Sequence, residues 1–306
     1  MSSIAFVFPG QGSQAVGMGR ELGEESPRWA DASAALGFDL RRLCFEGPEA
    51  ELLLTANTQP AILTVSIIAL DALTAAGVRC GFVAGHSLGE YSALVAAGAM
   101  TFADAVRTVR ARGQFMQEAV PPGEGAMAAV MGLDRTKIAE ACLEAADSGQ
   151  VQVANLNAPD QTVIAGTTAA VKRTAELCRA RGAKRAVLLP VSAPFHSALL
   201  APAARRLEAV LTPLPFRDLA VPLVTNVDAE PITEGSRLRD TLVRQVTSPV
   251  RWEEVVRRLV KEGASTFVEI GPGKVLSGLI KRIAPGVRIL NVEDRASLAA
   301  SLEALG

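Results

Sequence analysis

Two histidines and one glycine-flanked serine carry most of the chemical information in this chain. Among its 306 residues only His86 and His196 are histidines. One of them lies inside Gly85-His86-Ser87-Leu88-Gly89, a Gly-x-Ser-x-Gly pattern. The apolar run Phe82-Val83-Ala84 precedes it, and a helix-prone segment, Glu90 to Ala97, follows. That context describes a serine on a sharp strand-to-helix turn. A side chain at either glycine would collide with neighbouring backbone, so the spacing has a steric reason. Such a turn lifts the Ser87 hydroxyl clear of the sheet. It also sets the Leu88 N–H and the start of the next helix beside that hydroxyl, where developing negative charge is stabilised. A serine nucleophile needs a base that titrates near neutrality. Adjacent side chains diverge at a tight bend, so His86 is poorly placed for the task. His196, in the loop Ala193-Pro194-Phe195-His196-Ser197, is the candidate base. The plain alternatives are a glycine-flanked serine in an ordinary turn and a structural histidine; the strand and helix around the serine favour chemistry.

Arg112 is the third residue singled out by position. The segment Phe102 to Val120 reads as an amphipathic helix with Phe102, Val106, Val109 and Met116 on its apolar stripe. Arg107 falls opposite that stripe. Arg112 lies on its flank, three residues after Val109 and four before Met116. A buried guanidinium needs an anionic partner, although a structural ion pair or a snorkelling side chain would also suit the position.

Two glycine-rich loops were weighed for nucleotide binding. Pro9-Gly10-Gln11-Gly12-Ser13-Gln14 follows the apolar run Ile4 to Phe8, but it lacks the third glycine of a dinucleotide fingerprint. It reads as a turn that could supply a backbone N–H to an oxyanion. Gly271-Pro272-Gly273-Lys274 has Val268 where a phosphate loop needs glycine and Val275 where it needs Ser or Thr, which excludes nucleotide hydrolysis.

The elements that must position these residues alternate between strand and helix. Strands are expected at 4–8, 79–84, 223–226, 266–270 and 287–292. Helices are expected at 58–76 (with Pro60 in the first turn), 90–97, 102–120, 238–246 and 252–261, with a short one at the C-terminus. This order implies an α/β fold, an α/β-hydrolase-like core with a mostly parallel sheet. Ligands bind such sheets beyond the carboxyl ends of the strands. Between Pro121-Pro122-Gly123 and Val191-Ser192-Ala193-Pro194 the pattern changes. Strands at 126–132, 151–155, 161–165 and 185–190, a turn at Asn157-Ala158-Pro159-Asp160, and helices at 134–146 and 168–181 give the β-α-β-β-α-β order of a ferredoxin-like unit. The expected division is a core of residues 1–123 and 191–306 with an inserted subdomain at 124–190, and the cleft between them is a natural ligand site.

Composition narrows the classes further. Net charge is -1 with no block of like charges, which argues against nucleic acid as a partner. Cys44, Cys80, Cys142 and Cys178 are far apart and read as buried apolar residues in a reducing compartment rather than a metal site. The start, Met1-Ser2-Ser3-Ile4, lacks the features of a signal peptide. The longest apolar stretch, Ala61 to Ala76, is interrupted by Thr64, Ser66, Asp71 and Thr74, so no membrane span is expected. The expected location is the cytoplasm.

Taken together, Phe8-Pro9-Gly10-Gln11-Gly12-Ser13-Gln14, Gly85-His86-Ser87-Leu88-Gly89-Glu90, Arg112, Pro194-Phe195-His196-Ser197 and Glu269-Ile270-Gly271-Pro272-Gly273 resemble the malonyl-CoA:acyl carrier protein transacylase family of bacterial fatty acid synthesis. The resemblance spans essentially the whole chain, and the length suits a free-standing enzyme rather than a domain of a polyketide megasynthase; a monomer is expected. It implies that Ser87 carries the malonyl group as an ester and that His196 moves the proton. It implies that the Gln245 backbone carbonyl, not a carboxylate, orients the histidine. It assigns the oxyanion hole to the N–H groups of Gln11 and Leu88, and the malonate carboxylate to Arg112. Gln59 and Asn157 are implied in the pocket, and Phe195 as the ring that crowds a methyl branch. The partners implied are malonyl-CoA and acyl carrier protein, with no cofactor beyond the coenzyme A thioester itself. Lys172, Arg179, Arg181, Lys184, Arg185, Arg205 and Arg206 are candidates for meeting an acidic carrier protein. The rival readings are a serine thioesterase, a transferase of another acyl group such as methylmalonyl, and a binding module without catalysis.

Overall fold

The computed structural model describes residues 3–191 and 193–306; Met1 and Ser2 of the N-terminal segment, and Ser192 of the histidine loop and subdomain boundary, lie outside the described residues. Strand β1 (Ser3–Phe8) is buried from Ala5 onward. Four short helices follow, α1 (Arg20–Gly23), α2 (Arg28–Leu36), α3 (Leu40–Glu46) and α4 (Glu49–Leu52). Helix α5 (Thr55–Ala75) is apolar nearly all round and buried along most of its length. It starts three residues earlier than expected, so Pro60 lies inside the helix rather than in its first turn. The hydrogen bond that Pro60 cannot donate is a local cost; burial of the whole helix outweighs it. By length and hydropathy α5 would pass for a membrane span, which corrects the reading from its polar interruptions, but 78% of its apolar window is buried inside the fold. It is a core helix.

The elbow follows: β2 (Phe82–Gly85), shorter than expected, then α6 (Gly89–Ala96) and α7 (Phe102–Glu118). The inserted unit contains β3 (Gly125–Met131), α8 (Arg135–Glu144), β4 (Val151–Ala158), β5 (Gln161–Thr167), α9 (Thr168–Ala180) and β6 (Arg185–Leu188). Asn157 and Ala158, expected in a turn, end β4, and the turn is reduced to Pro159-Asp160. The chain returns through α10 (Ala201–Leu211), β7 (Leu223–Val224), β8 (Pro231–Ile232), α11 (Leu238–Thr247), α12 (Trp252–Lys261), β9 (Ala264–Ile270), α13 (Val275–Ile283), β10 (Arg288–Val292) and α14 (Arg295–Leu305). Helices α10 and α13 and strand β8 were not expected. Both helices carry the signal in their apolar spacing, such as Leu276, Leu279, Ile280 and Ile283, all buried.

The main sheet has the order β10-β9-β1-β2-β7-β8. All neighbours pair in parallel except β8, which turns back antiparallel on β7. The second sheet, β4-β5-β3-β6, is antiparallel, with the first and third strands of the unit central, as a ferredoxin-like fold requires. The fold is therefore the expected α/β-hydrolase-like core with a ferredoxin-like insertion. Strand β4 joins the two: Leu156 N–H donates to the Val250 carbonyl at 2.8 Å, and Val250 N–H to the Ala154 carbonyl at 2.9 Å. Arg135 with Glu253, and Arg282 with Asp160 at 2.8 Å, add ion pairs across the same junction.

One glycine sets the approach of α7 to α5. A Cβ at Gly113 would lie 2.7 Å from the Ala56 Cα and from the Thr55 carbonyl oxygen. The missing side chain lets Arg112, its neighbour, reach α5. Gly113→Ala should therefore destabilise the protein by about 1–3 kcal/mol through overpacking, although helix propensity alone favours alanine by about 1 kcal/mol. Denaturant unfolding of the two proteins checks the sign.

Candidate active site

The elbow is built by close backbone approach. A Cβ at Gly85 would sit 1.9 Å from the carbonyl carbon of Gly89, and one at Gly89 would sit 2.1 Å from the Phe8 carbonyl oxygen. Only glycine fits at either place. Between them Ser87 is held at φ 53°, a left-handed conformation that costs on the order of 1–3 kcal/mol outside glycine. Asn226, just past β7, holds it there. Its Oδ1 accepts the Ser87 N–H at 2.7 Å, and its Nδ2 donates to the Gly85 carbonyl at 2.7 Å.

His196 arrives from the other side, also at positive φ, 58°. Gln152 of β4 clamps its loop: Nε2 donates to the His196 carbonyl at 3.2 Å, and Oε1 accepts the Ala198 N–H at 3.0 Å. His196 Nε2 lies 2.7 Å from Ser87 Oγ, and Nδ1 lies 2.8 Å from the Gln245 carbonyl oxygen. A carbonyl only accepts, so Nδ1 carries the hydrogen and Nε2 is free to receive the serine proton. Burial, reinforced by the Arg112 charge, pushes the imidazole down to about 3. It is therefore a neutral base at physiological pH.

Arg112 is 2% exposed. Its Nη2 donates to Ser87 Oγ at 3.0 Å and to Gln245 Oε1 at 2.9 Å, and its Nη1 donates to Gln59 Oε1 at 2.9 Å. The guanidinium also faces the Tyr91 ring, 5.7 Å from its centroid. All these partners are neutral. The arginine is a buried cation aimed at the serine hydroxyl.

The remaining expected residues divide into those that join this cluster and those beside it. Gln59 and Gln245 join it. Leu88 is buried at the start of α6. Gln11 is brought close because Gly10 presses on the elbow, where a Cβ would meet the His86 carbonyl oxygen at 2.5 Å. The Gln11 side chain is anchored to Thr55 Oγ1 at 3.1 Å. Asn157 does not touch the serine; its Oδ1 lies 2.8 Å from Nε2 of His86. His86 points away from Ser87 and packs edge-on against Trp252. Phe195 is buried in the main core. A cavity of about 390 Å³ opens beside the elbow, lined by Gln11, His86 and Asn157 on one side and Lys274 and Arg282 on the other. It lies at the junction of the two units, where a ligand cleft was expected.

Three contributors escaped the sequence reading. Asn226 closed the expected strand 223–226, but nothing in a single polar residue said that it would hold the elbow. Gln152 looked like an ordinary strand residue. Glu90 reads from sequence as an ordinary first-turn residue of a helix, yet its carboxyl group is fully buried beneath the site.

A serine at a strand-to-helix elbow, a neutral imidazole oriented by a carbonyl, and a buried arginine on the serine oxygen define a serine acyl-transfer site on an α/β fold. The acyl transferase domain family model matches residues 5–296. The malonyl CoA-acyl carrier protein transacylase of Bacillus subtilis is 49% identical, covering 100% of this chain and 98% of that protein. The one from Escherichia coli is also 49% identical, covering 99% of this chain and 100% of the relative. Among solved structures, an acyl-carrier-protein S-malonyltransferase from Burkholderia pseudomallei superposes with a TM-score of 0.96 at 46% identity, over 98% of this chain and 99% of that one. A malonyl-transacylase in complex with its type II PKS acyl-carrier protein matches with a TM-score of 0.96 at 46% identity, over 99% of this chain and 100% of that one. The chain belongs to the acyl transferase family.

The displaced imidazole titration has a direct consequence. As pH falls from about 8 to about 5, kcat/KM for acyl loading should stay level, with no limb near the ordinary histidine value of about 6.5. Stability moves the other way. The unfolded chain takes up this proton near 6.5 and the folded chain only near 3, so His196 makes the fold lose stability as pH drops through that window. His196→Gln should remove this share of the dependence, leaving the like-signed share of His86 and the opposite one of Glu90, whose carboxyl burial raises; a pH–rate profile and unfolding at several pH values check the two halves.

Proposed function

We propose that this chain transfers the malonyl group of malonyl-CoA to the phosphopantetheine thiol of acyl carrier protein. The observation that carries this reading is Arg112 Nη2 at 3.0 Å from Ser87 Oγ, on a buried guanidinium with only neutral protein partners. A substrate with a second carboxylate supplies the missing anion, in bidentate fashion where the fork allows. A plain acyl chain leaves the cation unpaired, which disfavours it. The full-length relatives named for malonyl transfer support the same substrate.

In the first half-reaction His196 Nε2 takes the Ser87 proton as Oγ attacks the thioester carbonyl. The N–H groups of Gln11 and Leu88 receive the oxyanion. The C–S bond breaks, and His196 returns the proton to the leaving thiol of coenzyme A. In the second, the carrier's thiol gives its proton to His196 and attacks the malonyl ester. The C–O bond breaks, and the proton returns to Ser87. This is a ping-pong scheme with a covalent intermediate. No carboxylate is needed behind the histidine, since the Gln245 carbonyl holds Nδ1.

The cavity beside Gln11 and His86 offers room for the coenzyme arm. Two cations line it, each already paired: Lys274 with Glu293 at 3.0 Å and Arg282 with Asp160 at 2.8 Å. Residues 124–190 act as a subdomain closing one wall, Asn157 holds His86 in place, and Phe195 crowds a methyl branch on the substrate. No cofactor beyond the thioester enters the scheme. Among the basic candidates for the carrier's acidic surface, Lys172, Lys184, Arg185 and Arg205 are exposed. Arg181 and Arg206 are spent in ion pairs with Glu144 and Glu118, and Arg179 donates to the Ala186 carbonyl. The enzyme works in the cytoplasm.

Mass spectrometry of the peptide containing residue 87 after exposure to malonyl-CoA should find one malonyl ester, absent from Ser87→Ala. Arg112→Ala should lower kcat/KM for malonyl loading about 10²–10³-fold, corresponding to the roughly 3–4 kcal/mol lost with a buried charge pair, and lower acetyl loading far less. Equal losses for the two acyl groups would remove the arginine from substrate recognition.

A further inference from the structure

We infer that Glu90 is a positioning residue for acyl selectivity: its buried carboxylate aims Arg112 at the substrate through the amide of Gln245. The inference rests on the malonyl reading above and deepens it. Glu90 lies one turn beyond the elbow serine, fully buried. A single oxygen, Oε2, accepts the Asn226 N–H at 2.9 Å and the Gln245 Nε2 at 3.1 Å. These are the two residues that hold Ser87 and Arg112 respectively.

The geometry fixes which way the Gln245 amide faces. Nε2 donates to Glu90 Oε2 and to the Ser87 carbonyl, at 3.1 Å each. Oε1 is thereby turned to Arg112 Nη2 at 2.9 Å. Flipping the amide would set its oxygen against two acceptors and its NH2 against a guanidinium donor. All three contacts would become repulsive around an amide that is fully buried. An acceptor at residue 90 is therefore what keeps an acceptor facing Arg112. Without it only the Ser87 carbonyl takes the Nε2 hydrogens, the preference for this facing weakens, and the guanidinium's second glutamine anchor is less firmly held.

The role does not require Glu90 to be ionised. Burial pushes its carboxyl up to about 7. Its other oxygen, Oε1, is buried with no hydrogen-bond partner among the described residues. A proton carried on Oε1 leaves Oε2 as the same acceptor. The arrangement also explains why no carboxylate touches Arg112 directly: an ion pair within the protein would occupy the face that the substrate needs.

The test compares loading of Ser87 from malonyl-CoA and from acetyl-CoA, which lacks the second carboxylate, in wild type and three full-length variants. Glu90→Met removes the acceptor at similar length. It should lower the malonyl-to-acetyl ratio of kcat/KM at least about tenfold, chiefly through the malonyl KM. Glu90→Gln keeps an oxygen within reach and should hold the ratio within about threefold of wild type. Glu90→Asp retains the charge but withdraws the acceptor by one methylene, so it should lose selectivity even if the methionine variant fails to fold. Parallel loss of both substrates in Glu90→Met would mean that Glu90 only supports the elbow, and would overturn the inference. So would selectivity retained by aspartate and lost by glutamine, which would make charge rather than reach the cause. A wild-type chain that does not load malonyl would overturn the function itself; a wild type that loads it while the variant ratios stay unchanged overturns only this inference.

Discussion

A guanidinium held out of water without an anionic partner is the constraint on which the rest of the structure turns. Stripping an arginine of solvent is costly unless hydrogen bonds and charge compensate. Here two glutamine oxygens, a serine hydroxyl and an aromatic face supply the hydrogen bonds and part of the electrostatics. The Glu90 carboxyl behind Gln245 offsets part of the charge, and what remains attracts a carboxylate beside the Ser87 hydroxyl. Burial first, and the Arg112 charge after it, lower the His196 imidazole and keep it neutral.

Holding that side chain in place draws on the whole fold. Glycines at 85, 89 and 113 allow backbones to approach where any Cβ would clash. Two left-handed residues, Ser87 and His196, are kept there by Asn226 and Gln152. The local strain is repaid by a large apolar core around α5 and the parallel sheet. Strained residues concentrate at the reacting atoms, as expected where geometry matters more than local comfort. Chain connectivity contributes as well. The serine follows β2, its asparagine support follows β7, and the two strands are neighbours in the sheet.

Much of this was legible in the residues themselves. The elbow, the scarcity of histidine and the position of Arg112 on the flank of an apolar stripe each point at chemistry. The alternation of strand and helix indicated a parallel sheet, and the β-α-β-β-α-β run indicated a ferredoxin-like insertion. The misses have physical causes. Pro60 suggested a helix start, but burial of α5 carried the helix through it. Asn157 looked like a turn residue because asparagine favours turns, yet β4 runs on through it and pairs with the body at Val250. The polar interruptions in α5 did not lower its hydropathy enough to distinguish it from a span; only its surroundings do.

What the residue order determined by itself is whatever depends on neighbours in the chain: the tight bend at Ser87, the helical face carrying Arg112, the periodicities of the two sheets. Those follow from sterics and side-chain spacing over a few residues. Only the tertiary structure decided which distant groups meet. That His196 faces Ser87 from 109 positions away, that a carbonyl at Gln245 selects its tautomer, and that Glu90 meets an amide 155 residues further on are consequences of packing. Hydrogen bonds act over about 3 Å in space and carry no record of separation along the chain.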